Sequence, residues 1–141
     1  MTWWMYALLS AVAAAAVSIF AKLGMSAGDV PSNLATAVRV VVVVVFAWVV
    51  AAVSGEVKAI GDVKGRALVF LVLSGVGTGV SWLAYFKALQ LAPASQVAPL
   101  DKLSLVFTLA FAVVFLHEAL SWKVALGTGL IVAGTLLTLW K

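Results

Sequence analysis

The sequence predicts an all-α integral membrane protein, with one domain over residues 1–141 and five transmembrane helices. Hydrophobic residues make up 65% of the 141 residues and charged residues only 10%, whereas a soluble domain is about half apolar and a quarter charged. A soluble fold of this length could not bury so much apolar surface. The apolar residues also fall into five stretches of roughly the 20 residues that a membrane-spanning helix needs.

The first two predicted helices cover residues 3–24 and 34–53. The first opens with Trp3, Trp4 and Tyr6, which are typical of an interfacial aromatic belt and not of the basic start of a signal peptide. The second contains an unbroken run of valines at positions 40–45. In water that run would favour a strand, but in hydrocarbon a lone strand leaves its backbone unpaired, so we expect a helix.

The other three helices are predicted over residues 67–91, 95–116 and 122–140. The polar segment SGEVKAIGDVKGR separates the second helix from the third, and Pro93 marks the start of the fourth. Small residues recur at helical spacing in the third and fifth helices, which predicts faces where helices pack closely. These helix-packing residues are Gly75, Gly79, Ala125, Gly129 and Ala133.

The composition argues against several classes of protein. The chain has no cysteine and one histidine, so we expect no disulfide, no metal site and no cofactor. Its basic residues are scattered, which argues against nucleic-acid binding and leaves the lipid bilayer as the expected partner. Asp101 and Glu118 lie 17 residues apart, or about 25 Å along a helix, so they cannot form a catalytic pair. We therefore do not expect an enzyme.

A polar layer is predicted about 10 Å from one membrane boundary, at the depth that helix rise assigns to Arg39 and Asp101. A charge near the bilayer centre costs about 2.5 to 3.5 kcal/mol, so we expect Asp101 to face Arg39. Pro99, just before this level, favours irregular backbone that lines a cavity. The predicted substrate-binding residues of this layer are Lys22, Arg39, Trp82, Tyr85, Asp101 and Lys102.

Two functions fit this layer. In the first, it is the site of a secondary transporter for a small polar metabolite, with an anionic one favoured by the basic side chains. Asp101 would then be the ion-coupling residue, because a buried carboxyl group can hold a proton near neutral pH. In the second, Asp101 and Arg39 form only an internal salt bridge, and the chain is a non-transporting subunit or scaffold that requires a heteromeric partner.

The orientation in the membrane is nearly undecided. Lys and Arg number four on one predicted side and five on the other when the buried ones and Lys141 are included. Because the positive-inside rule needs an excess on one side, the chain either inserts with its N-terminus inside or inserts both ways.

Several segments, in order, resemble the EamA-type unit of the drug/metabolite transporter superfamily: AKLG, AVRVV, YFKALQLAPAS, FLHE and WKVALGTGLIVAGTLL. The resemblance implies one half of an inverted-repeat transporter fold that works by alternating access. It also implies a homodimer in a cytoplasmic (inner) membrane, with an antiparallel pairing of dual topology favoured. The run from Pro99 through Asp101 to Lys102 is similar to that of short members. Small four-helix multidrug exporters are less similar, because they depend on a glutamate in the first helix, which this chain lacks.

Overall fold

The computed structural model describes residues 2–140, with residue 139 described by its backbone alone, so the predicted domain extends beyond this range at Met1 and Lys141. Every regular element in the described range is helical, which confirms the all-α prediction. The elements are α1 Trp3–Ala27, α2 Ser32–Val53, a 3₁₀ helix Glu56–Asp62, α3 Arg66–Leu91, α4 Ala94–Asp101, α5 Ser104–Leu116 and α6 Trp122–Leu139.

Four segments are long and apolar enough to cross a membrane: α1, α2, α3, and α4 together with α5 over Ala94–Leu116. The remaining helix, α6, has 18 residues and is about 27 Å long, close to the roughly 30 Å of a hydrocarbon core. The segments agree with the five predicted helices, except that the fourth is broken into two.

The connection from α1 to α2 is shorter than predicted, because α1 ends later and α2 begins earlier than the sequence indicates. Gly24 does not interrupt α1, which runs to Ala27. The left-handed residue that ends the helix is Asp29, with φ 48°, and the N–H of Val30 donates to the carbonyl of Met25 at 3.0 Å. This bond satisfies one of the carbonyls that a helix end leaves unpaired.

Helices α2 and α3 contact each other and run antiparallel, since residues near the start of α2 meet residues near the end of α3. The polar segment between them, predicted as a simple link, contains the seven-residue 3₁₀ helix. Gly55, with φ 77°, supplies the left-handed turn that leads from α2 into it.

The predicted fourth helix changes its winding in the middle. Between α4 and α5 the backbone forms bonds from residue i to residue i−3, as in a tight 3₁₀ helix. The donor and acceptor pairs are Lys102 to Pro99, Leu103 to Leu100, Leu105 to Lys102 and Val106 to Leu103, at 3.0–3.1 Å. Asp101 ends α4 and Lys102 follows it, so the charged pair lies at this break.

The chain divides into two compact units, one joining Met1–Ile19 to Ala92–Lys141 and the other formed by Phe20–Leu91. Within the second unit the buried apolar side chains are Met25, Phe86 and Leu89; within the first, Val97 is buried. Nearly all other large apolar side chains of the described residues are exposed. Such extensive exposed apolar surface is expected where lipid is the solvent.

Candidate functional site

Arg39 lies against the aromatic face of α3. Its guanidinium carbon is 4.0 Å from the centroid of the Trp82 ring and 5.5 Å from that of Phe86. Trp82 and Phe86 are four residues apart and so lie on the same face of the helix. Phe86 is buried, with 2% of its surface exposed. A cation over an aromatic ring is stabilised by about 0.5 kcal/mol at exposed sites and by about 2 kcal/mol where water is excluded.

Two small polar side chains are buried in the first turns of α2, on the N-terminal side of Arg39. Ser32 and Thr36 are both buried, and the Thr36 hydroxyl donates to the Ser32 carbonyl at 2.9 Å. Because Thr36 satisfies its hydrogen bond within its own helix, it can be buried at little cost. Arg39 lies seven residues after Ser32, or about 10 Å along the helix axis.

Lys22 binds the end of α3. Its ammonium group donates to the backbone carbonyl of Leu89, one of the last four carbonyls of α3, which have no partner within the helix. A cation at a helix C-terminus also interacts favourably with the helix dipole. This bond of Lys22 is therefore that of a helix cap, and a contact of Lys22 with solute stays a prediction. Tyr85, on α3, is half-buried.

Asp101 and Lys102 form an ion pair with each other, with Nζ and Oδ2 3.8 Å apart. This pairing is not among the contacts that the sequence predicts. Both side chains are exposed, Lys102 at 54% and Asp101 at 43%. An exposed pair of this kind contributes little stability, so each partner can leave the other at little cost.

The predicted site residues thus form two groups. The structure brings Arg39 together with Trp82 within Phe20–Leu91, the unit that also holds Lys22 and Tyr85. Asp101 and Lys102 belong to the other unit. The pairing of Asp101 with Arg39 stays a prediction.

Two contacts were not predicted from the sequence: the aromatic ring of Phe86 beside Arg39 and a hydrogen bond between α6 and α4. Phe86 could have been found, because a residue four positions after Trp82 shares its helix face. The hydroxyl of Thr135 donates to the carbonyl of Pro99 at 3.2 Å. These two residues are 36 positions apart, and no local pattern indicates such a contact.

The small residues predicted to lie at helix–helix contacts have open space beside them in the described chain. A Cβ added at Gly75, Gly79 or Gly129 would meet no atom within 4 Å outside its own local helix. Ala125 and Ala133 are exposed. Their role in helix packing stays a prediction.

A shallow groove on α2 begins just after Arg39. It is lined by Val41, Val42, Val45, Phe46 and Val49. Its lining is wholly apolar by residue type, so it lacks the polar groups that a site for a polar solute needs.

Comparison with known proteins identifies the family. The model of the EamA-like transporter family matches residues 1–140. The chain belongs to the EamA-like transporter family. It is similar to a protein of Sinorhizobium sp named as an uncharacterized transporter in the cobO 3' region, with 45% identity over 136 residues, 96% of this chain and 95% of that one. No solved structure matches.

Membership in the EamA-like family confirms the resemblance seen in the sequence segments. The chain is a multi-pass membrane transporter and not an enzyme. Its surroundings are a lipid bilayer, and it carries a substrate.

Proposed function

We propose that this EamA-like chain is a secondary transporter of a small polar metabolite, with an anionic one favoured, and that it works as a homodimer by alternating access. The observation that supports this most is the exposed Asp101–Lys102 pair at the break between α4 and α5. Asp101 lies seven residues after Ala94, which corresponds to a depth of about 10 Å in the span.

An exposed charged pair at that depth is unfavourable against lipid. A charge near the bilayer centre costs about 2.5 to 3.5 kcal/mol on insertion scales. The cost is avoided if the pair borders a water-filled cavity, and non-helical backbone within a membrane is found where it lines such a cavity. Transporter sites near the midplane use interrupted helices in this way.

The charged side chains then have different roles. Lys102 attracts the solute, and Asp101 is the proposed ion-coupling residue, because its partner is an exposed neighbour that it can leave. Arg39 is held by two aromatic rings, so it contributes a fixed positive charge, with Trp82 and Tyr85 as the wall of the pocket. Lys22, near the end of α1, binds the end of α3 and adds another positive charge to the unit that holds Arg39.

Replacement of Asp101 by Asn tests the proposal. Purified protein in liposomes containing a pH-sensitive dye is exposed in turn to amino acids, sugars and nucleotide sugars. We expect one class to drive proton movement in the unchanged chain and none to do so in Asp101→Asn. Asp62→Asn is the matched control, because Asp62 is exposed in the 3₁₀ helix outside the spans. Proton movement in Asp101→Asn at the unchanged rate would contradict the role of Asp101.

The homodimer is proposed because one five-helix unit is half of an inverted-repeat transporter and the small-residue stripes of α3 and α6 are open. Antiparallel pairing requires both orientations in one membrane. Ser26 precedes α2 and Gly61 follows it, both exposed, and the chain has no cysteine of its own. We expect Ser26→Cys and Gly61→Cys each to be labelled from both sides of the membrane. Labelling of each from one side only would contradict dual topology.

A further inference from the structure

A bond between two helices accompanies the break in the fourth span. The side chain of Thr135, on α6, is buried with 4% of its surface exposed. Its hydroxyl donates to the carbonyl of Pro99, on α4, at 3.2 Å. The same carbonyl accepts the N–H of Lys102 at 3.0 Å. Both lone pairs of the Pro99 carbonyl are therefore used.

These bonds account for the change in winding. In a regular α-helix the Pro99 carbonyl would accept the N–H of Leu103, four residues later. In the structure Leu103 instead donates to Leu100 at 3.1 Å. The Thr135 hydroxyl thus occupies the acceptor site that Leu103 would use. A side chain inserted into the ladder of backbone bonds is a recognised cause of helix breaks.

The proline ring alone does not explain the position of the break. Proline lacks an N–H, so it removes the bond to the carbonyl four residues before it, here that of Ser95, and its ring crowds that carbonyl. Its direct effect is therefore on the turn that precedes Pro99. The break lies after Pro99, at Lys102 and Leu103, on the side where Thr135 acts.

We infer that Thr135 is a positioning residue that holds the fourth span broken and thereby sets the directions in which Asp101 and Lys102 point. Successive residues turn by 120° in a 3₁₀ helix and by 100° in an α-helix. Loss of the Thr135 bond allows Leu103 to bond to Pro99, which would rotate the charged pair relative to α5. The bond is a property of the fold, and only its consequence for transport rests on the proposed function.

The bond itself can be tested by isotope labelling. The chain contains three prolines, so carbonyl ¹³C-proline gives three carbonyl resonances in magnetic resonance spectra. We expect Thr135→Val, which has nearly the same shape without the hydroxyl, to move the Pro99 resonance and leave those of Pro31 and Pro93 in place. Thr135→Ser keeps a hydroxyl and should restore the Pro99 resonance. Thr128→Val, also on α6, is the control and should move none.

The positioning can be tested at Ser104, which is exposed and begins α5 just after the charged pair. The rate at which Ser104→Cys reacts with a negatively charged, membrane-impermeant thiol reagent reports both access and the nearby positive charge. One hydrogen bond biases an equilibrium by about fivefold, so we expect Thr135→Val to change this rate by about that factor. When Thr135 is replaced by Ser, Ser104→Cys should react at the original rate.

The outcomes separate the two proposals. An unmoved Pro99 resonance or an unchanged Ser104→Cys rate in Thr135→Val would overturn the role of Thr135, whatever the protein transports. Both changes without any solute-driven proton movement would leave Thr135 supported and the proposed function contradicted. If Thr135→Val does not fold, Thr135→Ala, which also lacks the hydroxyl but has no branched side chain, is subject to the same two expectations.

Discussion

Arg39 and the Asp101–Lys102 pair are charged groups at similar distances from helix starts, yet their surroundings differ. Arg39 lies in an unbroken helix against Trp82 and the buried Phe86. Asp101 and Lys102 lie where a helix changes its winding, with exposed side chains and each other as ion-pair partners. One charge is fixed by aromatic packing, and the other two are free to reorient.

The difference is consistent with the division of roles proposed for the transport site. A charge held by stacked rings gives a constant field but cannot easily change partners. A weak, exposed pair can change partners, which is what a binding and coupling site requires. The contrast predicts that changes near Arg39 mainly affect stability and that changes at Asp101 and Lys102 mainly affect transport.

The largest effect on stability is expected at Phe86. Phe86→Ala removes a buried ring from beneath Arg39 and should lower the free energy of unfolding by about 3 kcal/mol. Phe70→Ala is the control on the same helix, because Phe70 is 67% exposed, and its effect should stay within about 0.5 kcal/mol. Unfolding in detergent micelles, followed by circular dichroism, measures both. Equal losses in the two variants would show that Phe86 does not form a core.

A smaller loss is expected for the helix cap. Lys22→Met keeps an apolar stem but leaves the buried Leu89 carbonyl without its donor, and should cost about 1.5 kcal/mol. Lys87→Met serves as the control, since Lys87 bonds only to the exposed Gln90 side chain among the contacts described. If the same unfolding measurement shows Lys22→Met to be as stable as Lys87→Met, the cap contributes nothing.

Arg39→Lys preserves the charge but loses the flat guanidinium that stacks on Trp82. We expect a loss of about 1 kcal/mol. Lys102→Arg, the reverse exchange at the exposed pair, should change the unfolding free energy by less than about 0.5 kcal/mol. A tolerated Arg39→Lys would indicate that the charge of Arg39 matters and its stacking does not.

The smallest effect is expected within the exposed pair. A double-mutant cycle with Asp101→Asn and Lys102→Gln should give a coupling energy below about 0.5 kcal/mol, because exposed ion pairs gain little over hydration. A coupling above about 2 kcal/mol in the same unfolding assay would mean that the pair is a structural salt bridge, as in the alternative reading of the polar layer.

Much of the fold could be predicted because hydrocarbon permits few backbone arrangements. The valines of α2 form a helix despite their preference for strands in water. Irregular backbone near Pro99 could be predicted from the proline, but the position of the break after it could not, because the Pro99 carbonyl also accepts a bond from Thr135, 36 residues away. The predicted end of α1 at Gly24 lies three residues too early, because the left-handed residue that follows the helix is Asp29.

The candidate site was predicted only in part for a similar reason. Residue types and helix rise place Arg39 and Trp82 at one level, and the structure brings them together. The ion pair between Asp101 and Lys102 was not predicted, because neighbouring residues on a regular helix do not face each other. It arises at an irregular turn whose geometry depends on tertiary contacts.

Comparison of Thr36→Cys with Ser104→Cys tests the central claim most directly. Both replacements are nearly isosteric and leave every charge in place. Thr36 is buried one turn before Arg39, and Ser104 is exposed beside the charged pair. In proteoliposomes, we predict that a negatively charged, membrane-impermeant thiol reagent modifies Ser104→Cys and leaves Thr36→Cys intact. An unreactive Ser104→Cys would mean that the break faces lipid and would contradict the account.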